Sequence, residues 1–549
     1  MSSVSQGLRD KTVESLPSPA SARSSATRPW RIAAVCFLSL YALLIVATFR
    51  DYGMSWDQPS YHEYGETVVR FYRTWGHDQT AQTHWLHPYG GLFLILAAVV
   101  TRTFSLGWLE GTNLTSALFG LLGVYAGLRL GWRAFGPRVG VTAAVFLALT
   151  PVYYGHQFIN PKDLPFAALV LVSVRYIADL AMEYPRWKLA TILKATLAIG
   201  GAMAIRVGGL ILIGVLGLAT VAAAALAVWR TRFSLQHLVS LGKCALIGTG
   251  MLGLTWGLMI LFWPYAWAKP IHGPFLALKE FSKFGWNGYV FYNGQLLKAP
   301  QLPWSYVPNL VVNTMPEFVL LGWCGLLVVA AARARHWRQF VAWRGTPAIV
   351  TLIVASLLPL ATIYALHSNL YDGLRHVLFI LPPVIVLAAG GIWWMLELLR
   401  QPVLRRTWGG IVIGSVVLTV VDMRTLHPYQ YVYFNRVVAG GLARANDLYD
   451  LDYWATALRE AALWARDNYH PNNVTEVLYS ASGEPAQTDY FLQSTSANGI
   501  RFRRATAGER ARLYFVIRRQ RQGTNVTWGH TLHVVERHGV PLLDIVETD

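Results

Sequence analysis

Apolar residues in this chain gather into long runs separated by short polar stretches. The runs centre near residues 40, 97, 122, 148, 173, 196, 218, 250, 322, 356, 387 and 418. A helix of about 20 apolar residues crosses a hydrocarbon layer, and runs such as 207–229 have that length. The pattern predicts a helical membrane protein. No small-residue cleavage site follows the run 30–49, so it reads as a retained first span.

Charge between the runs decides how many of them cross. The basic loops are Arg129/Arg133/Arg138, Arg186/Lys188, Arg230/Arg232/Lys243, Arg333/Arg335/Arg338/Arg344 and Arg400/Arg405/Arg406. Short basic loops stay in the cytoplasm. If the run near 97 crossed, every one of these loops would fall outside. If it lies against the outer surface, all of them fall inside. The second solution gives eleven spans, with the N-terminus in and the C-terminus out. The outer face then collects residues 50–111, 156–163, the turn at Arg206, the loop 263–310 and the turn 367–375.

Beyond residue 426 the long apolar runs stop. A helical pattern covers 453–468, and strand-like stretches cover 474–479, 512–517 and 530–535. The expected architecture is therefore an α-helical polytopic membrane protein with a small C-terminal α/β domain. A disordered cytoplasmic tail (1–29), rich in Ser, Ala, Arg and Pro, precedes a transmembrane module (30–426). An extracytoplasmic α/β domain (427–549) follows.

Composition agrees. The 549 residues are 54% hydrophobic and only 14% charged, against roughly 25% charged in soluble domains. The net charge of +18 would suggest nucleic acid in a soluble protein. Here much of it sits in loops that set orientation and suits membrane lipids, so no nucleic-acid partner is expected. Cys36, Cys244 and Cys324 lie in or beside apolar runs and form neither a disulfide framework nor a metal motif. No zinc spacing, Walker motif or Rossmann motif occurs, and no cofactor or metal site is predicted.

Four polar constellations fall on the expected outer face. In Ser55-Trp56-Asp57-Gln58-Pro59, Pro59 and the spacing of Tyr61, Tyr64, Val68 and Phe71 predict an amphipathic helix with Asp57 as its N-cap. Asp57 either caps that helix or faces a cavity as a proton acceptor. Glu63 and Glu66 read as solvated helix charges. In Asn160-Pro161-Lys162-Asp163-Leu164-Pro165, Asp163 has the look of another cap. Lys162 suits a phosphate, or else snorkels to headgroups. Arg206 is the one charge between Ala195 and Trp229, and a lone Arg in such a run is paired or functional. In Tyr371-Asp372-Gly373-Leu374-Arg375-His376, Arg375 either holds a phosphate or pairs with Asp372. Tryptophans and tyrosines of the loop 263–310 form an interface belt or a groove.

The ordered set of motifs resembles the GT-C glycosyltransferases, particularly the family-39 and protein O-mannosyltransferase-like enzymes that include the lipid A aminoarabinose transferases. The resemblance is carried by the first-loop Asp57 motif, the His87-Pro88 segment, 160–166, 372–376, His427-Pro428-Tyr429-Gln430-Tyr431-Val432-Tyr433-Phe434-Asn435 and Leu451-Asp452-Tyr453-Trp454. It covers most of residues 30–465. It implies a donor sugar on a polyprenyl phosphate, an acceptor protein, lipid or glycan, and a bacterial-type inner membrane with the C-terminal domain periplasmic or extracellular. It also implies inverting displacement with Asp57 as base, Lys162, Arg206, Arg375 and His376 on the donor phosphate, and His87, Asn160, Asp163, Tyr371 and Asp372 around the substrates. Gln58 stands where the family carries a second acid. Either Asp57 works alone or Glu63 substitutes, and metal dependence stays open. The alternatives are a transporter or flippase, and a non-catalytic scaffold with the same fold. A transporter would place its ionisable residues at mid-membrane depth, whereas here they gather at outer ends.

Overall fold

The computed structural model describes residues 24–282, 285–472, 474–492, 499–519 and 528–548. Residues 1–23 of the expected tail lie outside this set. The first helix begins at Ser24, inside the segment expected to be disordered, and ends at Thr48.

Eight helices are long and apolar enough to cross a membrane. Two bent helix pairs, Pro137–Ala148 with Pro151–Ile159 (59°) and Tyr306–Thr314 with Glu317–Ala332 (112°), are each a broken span or a re-entrant loop. Each break falls at a residue before proline. Thr150 and Met315 have extended ψ values of 107° and 136°, because the proline ring clashes with a helical residue ahead of it. The run near 196 forms a short helix, Leu189–Met203. Its flanks show that it still runs from end to end. Lys188 pairs with Glu183 at the far end of the Asp163–Glu183 helix, and Arg206 pairs with Asp163 at the near end. Among the described residues, eight helices, or up to ten spans if each bent pair counts as one, are long and apolar enough to cross. The run near 97 is the 12-residue helix Leu92–Thr103, about 18 Å long, too short to cross.

Burial separates central from peripheral helices. The apolar windows of Trp108–Phe135, Asp163–Glu183 and Arg375–Leu398 are 72%, 72% and 78% buried inside the protein, but that of Pro402–Thr425 only 11%. The central helices approach through small residues. A Cβ on Gly391 would collide with the Gly322 carbonyl oxygen of the Glu317–Ala332 helix.

The loop 263–310 contains a hairpin, β1 (Tyr289–Tyr292) and β2 (Gln295–Lys298). The C-terminal part holds a helix, Leu458–Asn468, and a sheet of β3 (Glu476–Ala481), β4 (Arg501–Arg504), β5 (Leu513–Ile517), β6 (His530–Arg537) and β7 (Val540–Glu547), in the order β4-β3-β5-β7-β6. β3 pairs parallel to β4 and β5, while β7 is antiparallel to β5 and β6. The sequence pattern does not predict β7. Its residues are buried almost throughout, so it lacks the alternation of a half-exposed strand.

Candidate functional site

The Gln58–Arg73 helix buries Tyr61, Tyr64, Val68 and Phe71, as its spacing predicts. Asp57 occupies the N-cap position, yet its carboxylate makes no capping bond. Instead its Oδ2 accepts from Lys162 Nζ at 2.6 Å and Arg375 Nη1 at 2.8 Å. Of the two roles open to Asp57 in the sequence, capping is therefore absent.

Lys162 arrives on a turn built by Asn160. The Asn160 Oδ1 accepts from the Asp163 N–H (2.9 Å) and the Lys162 N–H (3.3 Å), so Asn160 caps the Asp163–Glu183 helix. Its Nδ2 donates to Asp163 Oδ2 at 3.2 Å and to His156 Nδ1 at 3.0 Å. With Nδ1 accepting, neutral His156 donates from Nε2 to the Tyr453 hydroxyl at 3.0 Å. Asp163 is thus freed from capping and pairs with Arg206.

Asp372 and Gly373 turn the chain with φ of 56° and 65°, a conformation that Asp and Gly tolerate. Asp372 forms an ion pair with Arg375 Nη2 at 3.2 Å and accepts a hydrogen bond from Arg519 Nη2 at 2.6 Å. Arg519 also lies 3.8 Å from Asp450 and over the Trp56 ring. Lys162, Asp57, Arg375, Asp372, Arg519 and Asp450 therefore form one chain of contacts, with Arg206 and Asp163 paired beside it, and the charges balance.

A cavity of about 200 Å³ opens on this network, with Asp57, Lys162, Asp163, Arg206, Asp372 and Arg375 in its wall. Its aromatic sides include Trp56, Tyr89, Trp286 and Tyr371. Trp286 stacks on Tyr371 at 4.2 Å between ring centroids, and with Phe281 it brings two aromatic residues of the loop 263–310 to the site. Trp304, by contrast, is exposed and Trp263 is fully buried. The loop 87–91 forms another side by pressing on the Arg206 turn. Gly90 N–H donates to the Ile205 carbonyl at 3.2 Å, and a Cβ on Gly90 would collide with the Ala204 carbonyl.

Burial pushes the Asp57 carboxyl up, but the Lys162 and Arg375 charges outweigh it and hold the group well below the usual carboxylate range. Burial likewise opposes the Lys162 ammonium, and Asp57 raises it. Asp57 is thus an anion, about a quarter exposed, and a weak proton acceptor while both cations hold it.

Three of the expected residues lie outside the cavity wall, Asn160 among them, fully buried in the turn that it caps. Glu63 is exposed on the Gln58–Arg73 helix. Six residues beyond Asp57, it is turned about 240° around the axis and does not substitute for a second acid in this cavity. His87 does not line the cavity either. Its ring bonds the His84 carbonyl (2.8 Å) and packs on Tyr265. Its neighbours Leu86, Pro88 and Tyr89 are the lining residues. Gln58 is buried and turned away, accepting from the Ser55 N–H at 2.7 Å and donating to Asn113 at 2.9 Å. His376 lines the cavity, and its buried Nδ1 has no hydrogen-bond partner among the described residues. The sequence gives no signal for Arg519, which lies 147 residues from Asp372. Nor does it single out Glu280, exposed in the cavity wall. Among the described residues, no three His, Cys, Asp or Glu side chains are grouped to hold a metal ion.

No family model and no curated protein matches the chain. Among solved structures, ArnT from Cupriavidus metallidurans in the apo state is 15% identical over 93% of this chain and 98% of its own, with a TM-score of 0.49. The same protein bound to undecaprenyl phosphate aligns at 14% identity, over 93% and 97%, with a TM-score of 0.47. The archaeal oligosaccharyltransferase AglB from Archaeoglobus fulgidus, in complex with an inhibitory peptide and a dolichol-phosphate, aligns at 14% over 81% and 62%, with a TM-score of 0.44. ArnT belongs to the group that the sequence motifs resemble. At these levels of similarity, the chemistry of the cavity rests on its own side chains.

Proposed function

We propose that this chain is an integral-membrane glycosyltransferase that moves a sugar from a polyprenyl-phosphate donor to an acceptor hydroxyl or amine. The observation that carries the reading is the Asp57 carboxylate held by Lys162 and Arg375 in an aromatic-walled cavity at one end of an apolar bundle. A lipid-linked donor reaches such a cavity from the bilayer. The aromatic rings offer faces for a sugar, and the cations suit a phosphate.

The network is self-neutralised, so a phosphate enters by exchange. It draws Lys162 and Arg375 away from Asp57, with Arg206 nearby. Losing those cations raises the proton affinity of Asp57, so donor binding arms the base. The acceptor oxygen or nitrogen then attacks the anomeric carbon as its bond to the phosphate oxygen breaks. The phosphate leaves with the bonding pair, and the acceptor's proton passes to Asp57. A single displacement inverts the anomeric centre. The cations stabilise the departing charge without reorganising. On this reading the basic loops stay in the cytoplasm, and this end of the bundle faces outward.

The test uses purified full-length protein and a panel of polyprenyl-phosphate pentoses and hexoses, with released polyprenyl phosphate as the readout. Asp57→Asn should lower the rate by about 10²- to 10⁴-fold. An Asp57→Asn protein as fast as wild type overturns the assignment. Absence of any transfer in detergent, together with donor movement across vesicles, would support a flippase instead.

A further inference from the structure

A larger cavity lies at the other end of the bundle. The Ser24–Thr48, Trp108–Phe135 and Asp163–Glu183 helices enclose about 650 Å³ there, against about 200 Å³ beside Asp57. Asp179 in its wall is sixteen residues along the helix from Asp163, about 24 Å away. The two cavities are separate.

Five cations line it: Arg31, Arg129, Arg133, Arg175 and Lys188. One carboxylate, Asp179, faces them, bonded by Arg133 at 3.2 Å and approached by Arg175 at 3.9 Å. Lys188 lies 3.7 Å from Glu183. Arg31 and Arg129 form no ion pair among the described residues. The Arg175 side chain is only 14% exposed, and its buried Nε has no hydrogen-bond partner among the described residues. Below the cations the wall turns apolar, with Ala34, Val35, Leu38, Tyr125 and Leu128. Val35 and Tyr125 remain solvent-accessible at 65% and 42%.

We propose that this cavity binds an anionic glycerophospholipid. Its phosphodiester lies among Arg31, Arg129, Arg133 and Arg175, and an acyl chain lies along Val35, Leu38 and Leu128. Excess positive charge at the edge of the hydrocarbon layer requires a counter-charge, and basic pockets between membrane helices suit anionic headgroups. A free phosphate would satisfy the cations but leave the apolar wall uncovered. A lipid satisfies both. The site differs from general attraction of basic loops to headgroups in being concave and in holding a largely buried arginine.

The experiment measures lipid retention by full-length protein in nanodiscs of phosphatidylcholine alone or mixed with phosphatidylglycerol, with native mass spectrometry and thermal melting as readouts. Wild type should retain phosphatidylglycerol and melt higher in its presence. Arg31→Gln/Arg129→Gln should weaken retention roughly thirtyfold and abolish the lipid-dependent rise, with unchanged melting in phosphatidylcholine. Val35→Glu, at an exposed lining position, should lose retention in the same way. Asp57→Asn should retain the lipid normally. Unchanged retention by both cavity variants overturns the proposal, as does equal retention of phosphatidylcholine by wild type. Glycerol phosphate displacing the lipid at equal concentration would reassign the site to a soluble phosphate and overturn the lipid reading.

Discussion

Arg519, in the C-terminal sheet domain, donates to the Asp372 carboxylate at 2.6 Å. Asp372 also holds Arg375, which holds Asp57. The domain thereby supports the cavity wall from behind, through Asp372. Arg519→Ala should lower transfer about ten- to a hundredfold, because small displacements of reacting groups cost that much. Arg519→Lys should recover part of the rate, since a point charge replaces a fork. Initial rates at saturating and limiting donor check this. Wild-type kinetics in Arg519→Ala would remove the domain from the site.

Asp163 is 4% exposed and pairs with Arg206. Arg206→Ala leaves a buried carboxylate without its cation, which typically costs about 3–5 kcal/mol. Adding Asp163→Asn should return part of that stability, because the stranded charge is then gone. Thermal melts of the two single variants and the double variant measure the coupling. Additive losses would mean that the pair is not formed.

The ion pairs of Asp57 make stability depend on pH in a defined window. Its folded-state value lies below the ordinary 3.8, so its contribution is fully present above that value and fades as pH falls below it. The melting difference between wild type and Asp57→Asn should therefore be constant from about pH 5 to 8 and shrink below about pH 4. A difference that vanishes near pH 6 would show that Asp57 is not held by both cations.

Gln58→Glu restores the acid of the resembling family but places it against the Asn113 side-chain oxygen in a site that is 1% exposed. A loss of about 1–3 kcal/mol is expected, without a gain in transfer rate. A melt equal to wild type, with faster transfer, would restore the two-acid scheme.

Gly90→Ala drives a methyl group into the Ala204 carbonyl and should separate the loop 87–91 from the Arg206 turn. The expected result is at least a tenfold weaker donor interaction, about 1.4 kcal/mol, read as a raised KM. Normal KM would mean that this loop does not shape the donor site.

The charged residues that sequence analysis singled out were found through one property, a charge at the edge of an apolar run. Asp57, Lys162, Arg206 and Arg375 share it, and the structure brings them together. Arg519 lies in an arginine-rich stretch of a polar domain and has no such mark. Glu63 shares a helix with Asp57 but not a face. Gln58 adjoins Asp57 and still turns to Asn113.

The sequence by itself determined the apolar helices and the short helix near residue 97. Hydropathy and length act within a few residues, so they can be read locally. Only tertiary structure decided that Asp57 is paired rather than capping and that Arg519 completes the network. Those choices depend on which side chains packing brings within hydrogen-bond reach, across separations of 105, 318 and 147 residues. A buried charge takes the partner that compensates its desolvation, and only the assembled bundle supplies that partner.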